Sequence, residues 1–209
     1  MACPRCLNEV KPVREPRCKK CGKPLENSQE EYCGDCSRKN HLYTEGRGIF
    51  PYRGRVKQAV WDLKYRGKRE NVRFLGTALA RLGEPEVRRW RPEVLIPVPV
   101  HKKRRRLRGY NQAELLAKAC GQLWGIPVDT RVVQRLTNTR AQKQLDPAQR
   151  RRNLQGAFAP VPGAARYRSV LIIDDIYTTG STVDAVAAVL RKLGAVHIYF
   201  LAVCIGTGS

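Results

Sequence analysis

Apolar and polar positions change rhythm most sharply at residues 169–183, SVLIIDDIYTTGSTV. Val170, Leu171, Ile172 and Ile173 form an unbroken run of β-formers, which predicts a strand buried on both faces. The run meets Asp174 and Asp175, then a small polar turn of Thr178, Thr179, Gly180, Ser181 and Thr182. Val183, Val186, Ala187 and Leu190 then recur at helical spacing, Gly194 is placed to end that helix, and residues 196–203 read as another strand. Upstream, residues 94–100 (VLIPVPV) predict an interior strand stopped by Pro97 and Pro99. Residues 49–52 predict a short edge strand, and Val132 with Val133 another strand. Helices are predicted from Gly54 to near Gly67 (Val56, Ala59, Val60, Leu63), on Val72, Leu75, Leu79 and Leu82, and over residues 113–124 behind an Asn111 N-cap. Strands alternating with helices predict an α/β fold, a mostly parallel sheet flanked by helices.

Ligands of open α/β sheets bind at the carboxyl ends of the strands. Asp174 and Asp175 stand at such an end, and side-chain alternation keeps them from facing the same side of the sheet. Two carboxylates accept well from vicinal sugar hydroxyls, and the hydroxyl-rich turn at a helix N-terminus suits a phosphate. Together they have the span of a ribose 5-phosphate. Mg²⁺ is the natural companion of such a ligand when it also carries diphosphate.

Two stretches supply positive charge. After the rigid Pro97-Val98-Pro99 comes HKKRRRLRGYNQ, where Lys102, Lys103, Arg104, Arg105, Arg106 and Arg108 read as a basic loop. It serves a pyrophosphate or a nucleic-acid track, Arg adding bidentate geometry toward phosphate, or is in part plain soluble surface. In LKYRG, Lys64 and Arg66 make either a solvated helix end or a basic wall facing an anion. Residues 137–152 carry Arg140, Lys143, Arg150, Arg151 and Arg152 against Asp146 alone. A polar insertion of that length between strands reads as a lid over the ligand.

Six of the eight cysteines fall within residues 3–36, as Cys3/Cys6, Cys18/Cys21 and Cys33/Cys36. Paired C-x-x-C spacing in a segment with so few apolar residues points to a structural Zn²⁺ in a closed tetrahedral site. Cys18, Cys21, Cys33 and Cys36 are the first set; Cys3 and Cys6 with Cys18 and Cys21 are the alternative. His41 reads as a linker residue ahead of ligation. The chain thus divides into a cysteine-rich zinc-binding module, 1–43, and an α/β domain, 44–209.

The 209 residues carry a net charge of +22, which attracts polyanions but implies no reading of sequence. Aromatic residues are only 7%, so stacking platforms are scarce and DNA binding is expected to be mainly electrostatic. No run approaches the roughly 20 apolar residues of a membrane span, and MACPRC opens the chain without the apolar core of a secretion signal, so a cytoplasmic setting is expected. Neither GxGxxG nor GxxxxGK[ST] occurs.

LIIDDIYTTGST resembles the signature of type I phosphoribosyltransferases, which bind 5-phosphoribosyl 1-diphosphate (PRPP). With the cysteine module, LKYRG, IPVPVHKKRRRLRGYNQ and RRRNLQGAF, nearly the whole chain is similar to the ComF/ComFC competence-protein family. The resemblance implies a type I phosphoribosyltransferase-like domain. In it Asp174 and Asp175 would hold the ribose hydroxyls, and Thr178, Thr179, Gly180, Ser181 and Thr182 the 5-phosphate. Pro97, Val98 and Pro99 would form the pyrophosphate loop and residues 137–152 the hood. Thr178 stands where relatives acting on hypoxanthine or guanine carry an acidic base, so no acceptor is identified. The family implies natural transformation, single-stranded DNA as a partner, and work at the inner face of the membrane beside DNA-uptake proteins. The alternatives are an active Mg²⁺-dependent phosphoribosyltransferase and a non-catalytic PRPP-sensing module.

Overall fold

The computed structural model describes residues 10–137, 154 and 156–206. In chain order the elements are α1 (Gly34–Arg38), β1 (Glu45–Pro51), α2 (Gly54–Tyr65), α3 (Asn71–Trp90), β2 (Val94–Pro97), α4 (Lys102–Arg108) and α5 (Gln112–Trp124). There follow β3 (Val133–Arg135), β4 (Phe158–Pro160), β5 (Ser169–Tyr177), α6 (Ser181–Lys192) and β6 (His197–Ile205). Four strands form one parallel sheet in the order β1-β6-β5-β2, while β3 and β4 pair antiparallel apart from it. A parallel sheet flanked by helices, with a small cysteine module at the N-terminal side, is therefore the observed architecture.

The unbroken apolar run of β5 is explained by its position: it is an interior strand, covered on both faces. Leu171 and Ile173 join Leu201 and Val203 in a core with Val60 and Leu63 of α2, Leu75 and Leu79 of α3, and Leu116 of α5. Val170 and Ile172 face the other way, into a core with Val183, Val186 and Leu190 of α6, Phe158 of β4 and three cysteines of the N-terminal module. Continuing that alternation sends Asp174 toward the α6 side and Asp175 toward α2.

Three boundaries differ from the periodicity. β1 begins at Glu45, four residues ahead of the apolar positions. Its early alternation is hidden because a Cβ on Gly46 would lie 2.0 Å from the Phe200 ring, so glycine stands where an apolar side chain would otherwise mark the strand. α3 runs through Pro85 to Trp90 and stops at Arg91, whose backbone is left-handed (φ 47°). The basic stretch expected as a loop is largely the helix α4. It has no buried face to create a period, yet Lys, Arg and Leu are good helix formers. His101 Nδ1 accepts from the Lys103 N–H at 3.2 Å, and three arginines occupy the last turn, where the helix dipole favours cations.

Candidate functional site

The carboxyl edge of the sheet collects most of the residues singled out by sequence. Pro97 pairs with Ile173, the residue before the acidic pair, and the Val98 N–H donates to Ile173 O at 2.9 Å. Asn111 holds this corner from both sides. Its amide donates to Val98 O at 3.0 Å, while its oxygen caps α5 by accepting from the Ala113 N–H at 3.1 Å. Thr178 and Thr179 lead to Gly180, which precedes the first turn of α6. The Thr179 and Ser181 hydroxyls are 3.0 Å apart. Gly180 is required there: its φ is 76°, and a Cβ would sit 2.8 Å from both the His41 ring and the Tyr177 hydroxyl.

Alternation hands the two acids to different cations. Asp175 meets Lys64 of α2, with Nζ 2.9 Å from Oδ2. Lys64 therefore faces the acidic pair from a neighbouring helix, not the surrounding solvent. Asp174 accepts the Asp175 N–H on Oδ1 at 2.8 Å and lies in the field of Arg135 at the end of β3. Burial, then the Asp175 charge, pushes the Asp174 carboxyl up to about 8. Burial and the adjacent Arg104 bring Arg135 down to about 10, with Asp174 pulling the other way. The pair is nearly covered, Asp174 being 7% and Asp175 3% exposed. A cleft of about 480 Å³ beside α6 is lined by Lys39, Leu42, Phe158, Ser181, Asp184 and Lys192, and by neither acid.

Divalent-ion chemistry has little to hold it at this edge. Among the described residues no third metal-ligating side chain joins Asp174 and Asp175, and Asp175 already has an ammonium partner. These residues do not form a protein-held Mg²⁺ site.

The cysteine module is a different case. The sulfurs of Cys18, Cys21, Cys33 and Cys36 all lie within 4.8 Å of one another, with Cys21 and Cys33 3.6 Å apart. Tetrahedral zinc with bonds of about 2.3 Å separates its sulfurs by about 3.8 Å, so the cluster fits that ion. Hydrogen bonds from Cys21, then Cys33 and Cys36, hold the Cys18 thiol far below its usual range, while those from Cys18, Cys33 and Cys36 push Cys21 far above it. A bound dication would let all four sulfurs ionise together. Among the described residues the converging set comes from the second and third pairs. Cys3 and Cys6 lie outside the described residues, as do Arg140, Lys143, Arg150, Arg151 and Arg152.

Sequence reasoning missed three contributors. Arg135 ends a three-residue strand with no periodic signal, and only its tertiary position brings it to Asp174. His41, read as a linker residue, is a buried post beneath the phosphate-type turn: it stacks on Tyr43 at 4.8 Å and sets Nδ1 2.8 Å from Asp184. Asp184, in the first turn of α6, also accepts from Lys39 and from the Leu42 N–H at 3.0 Å. The chain leaving the cysteine module is thus fastened directly under Gly180. Of the remaining basic residues, Arg105 pairs with Glu114 at 3.1 Å and Arg108 donates to Gln112. Lys102, Lys103 and Arg106 stand exposed on α4.

A family model described as "Double zinc ribbon domain" matches residues 1–37. The chain is 33% identical over 205 residues to "Competence protein F" of Haemophilus influenzae, covering 94% of this chain and 86% of that protein. It is 30% identical over 212 residues to "DNA utilization protein YhgH" of Salmonella typhimurium, covering 97% and 89%. Among solved structures it matches a purine phosphoribosyltransferase from Pyrococcus horikoshii with a TM-score of 0.40 and 19% identity, over 65% of this chain and 83% of that one.

Proposed function

Because the chain belongs to the competence protein F family, we propose that it binds a PRPP-like sugar phosphate at the carboxyl edge of its sheet and single-stranded DNA on its basic surface. It does so in natural transformation, as a cytoplasmic protein working beside membrane-bound uptake proteins. The observation that carries the sugar half is the succession along one segment: buried strand, acidic pair, hydroxyl turn and helix N-terminus, with Pro97-Val98-Pro99 alongside. Vicinal hydroxyls would take the Asp174 and Asp175 oxygens, and the 5-phosphate the Thr178 to Thr182 turn. Mg²⁺, where it takes part, would arrive on the diphosphate and stay bound chiefly to ligand oxygens and water. The names of the relatives and the +22 charge support the DNA half. No helix among the described residues is long and apolar enough to cross a membrane, which accords with a partner-mediated place beside it.

Calorimetric titration of PRPP with Mg²⁺ into wild type and Asp174→Asn tests the sugar half. Binding by wild type and a loss of at least roughly tenfold in the variant are expected, since a charge-assisted hydrogen bond is removed. No heat with wild type would refute this half. Pyrophosphate release in the presence of an acceptor would make the chain a transferase, and its absence a binding module. Retention of a labelled single-stranded oligonucleotide on filters tests the DNA half separately.

A further inference from the structure

Helix α2 divides its polar side between two tasks. Lys64 turns inward to Asp175, while Trp61 and Tyr65, one turn apart, face away from the core, Trp61 half-buried and Tyr65 57% exposed. Their ring centres are 5.4 Å apart and the planes are inclined by 44°. Arg66 lies 5.0 Å over the Trp61 ring, and Arg108, which comes from α4, lies 5.8 Å over Tyr65. Tyr110 locks the two segments together: its hydroxyl donates to Leu63 O, and Arg69 covers its ring at 4.6 Å.

The result is one continuous strip made from two distant pieces of chain. Residues 52–69 hold seven Lys or Arg with Asp62 as the only acid, and residues 102–108 hold six with none. Asp62 is engaged by Gln58 at 2.8 Å, Lys68 at 3.2 Å and, more loosely, Arg66 at 3.7 Å, so it is neutralised within the strip. Accessible ring surface interleaved with guanidinium groups is what a flexible polyanion with flat bases would select. Rings and guanidinium planes both stack on any base, and the same guanidinium groups reach phosphate oxygens.

We propose that this strip is the contact surface for single-stranded DNA, with Trp61 and Tyr65 as stacking platforms and Arg66, Arg108 and the α4 cations following the phosphates. It rests on the DNA-binding reading above, and it adds stacking to the expectation from composition that binding is mainly electrostatic. Few rings are needed when the fold gathers them. An anionic bilayer fits the strip less well, because α4 is seven residues long, has no buried face and offers Leu107 as its one apolar residue, so it lacks the broad apolar side that inserts between lipids.

Fluorescence anisotropy on the full chain tests this with a labelled 20-nucleotide thymidine strand and an abasic strand of equal length, across a range of salt. Trp61→Ala/Tyr65→Ala should bind the thymidine strand at least about tenfold more weakly, with the salt slope kept and abasic binding unchanged. Arg66→Gln/Arg108→Gln should weaken both strands and lower the salt slope by one to two, by the counterion rule of roughly one per phosphate contact. Tyr65→Ala alone, at a position 57% exposed, should show part of the first effect with an unchanged melting temperature. Wild-type binding that Trp61→Ala/Tyr65→Ala leaves intact overturns this placement and leaves the DNA-binding reading standing. No binding by wild type overturns both. Loss of retention on phosphatidylserine vesicles with normal thymidine-strand binding would reassign the strip to a membrane.

Discussion

Lys64→Met isolates the electrostatics of the acidic pair. The Asp175 side chain is 4% exposed and that of Lys64 19%, so the 2.9 Å contact is a largely buried ion pair. Burial alone would lower the lysine pKa, but the Asp175 charge outweighs it and the net shift is upward. The ammonium therefore stays charged across neutral pH, and its stabilisation fades only as pH climbs through its raised value. Removing one member of such a pair costs about 3–5 kcal/mol. The stranded carboxylate has an escape, since it can be protonated; with Asp174 already protonated at neutral pH, that carboxylate is the one Lys64 leaves behind on Asp175. Relative to an unfolded Asp pKa of about 3.9, that uptake costs about 4 kcal/mol at pH 7 and about 1.5 kcal/mol at pH 5. Urea unfolding should thus show a deficit of about 3–4 kcal/mol at pH 7 that shrinks below about 2 kcal/mol at pH 5. Adding Asp175→Asn should recover most of the loss at pH 7, because it removes the stranded charge. A deficit equal at both pH values, or one that Asp175→Asn deepens, would refute the reasoning.

Four further outcomes follow from the same geometry. Gly46→Ala places a carbon 2.0 Å from the Phe200 ring and should destabilise by about 1–3 kcal/mol in chemical denaturation; an unchanged midpoint would mean that β1 and β6 are not in this register. The purified chain should carry zinc on Cys18, Cys21, Cys33 and Cys36, and Cys21→Ser or a strong chelator should release it and unfold the module, read by metal analysis and limited proteolysis of residues 10–40. Asp184→Asn should cost about 1.5–3 kcal/mol of stability. Burial raises the Asp184 pKa, yet His41 and Lys39 bring it below its usual value, so that contribution is present above the ordinary Asp pKa and disappears as pH falls through the lower folded one. Asp174, pushed up to about 8, is protonated in the native state over the range in which a free Asp is ionised. Its stability cost is nil below the unfolded pKa and grows as pH rises toward 8. A sugar that needs the carboxylate must expel that proton, so PRPP affinity should rise between pH 6 and 8 and level off above, with proton release seen in buffers of different ionisation enthalpy.

How much of this was readable from the residues depended on whether the information was local. β5 and α6 announce themselves because every residue of each pattern serves one buried environment, and the acidic pair and TTGST interrupt the pattern where the sheet ends. β1 is longer than its apolar positions show because Gly46 and Gly48 replace side chains that Phe200 and Ile205 leave no room for. α4 is invisible to periodicity because a helix that buries nothing has no period to display. In both cases the missing signal is a contact with a residue far along the chain.

The site divides along the same line. Asp174 and Asp175 are adjacent in sequence, and alternation alone dictates that they face different layers. Which cation each meets is not local: Lys64 lies more than a hundred residues earlier on α2, and Arg135 sits at the tip of a short strand outside the main sheet. Those partners decide the chemistry. Asp175 is paired with a lysine from a helix whose neighbouring face is aromatic and basic, and the loss of that contact should register as stability. Asp174, buried beside that charge and faced by a cation whose own pKa is lowered, is the member poised to exchange a proton. A ligand arriving at this edge therefore finds two unlike acids, one already partnered and one not yet ionised. Its affinity should follow the titration of Asp174, while stability follows the pair that Asp175 makes with Lys64.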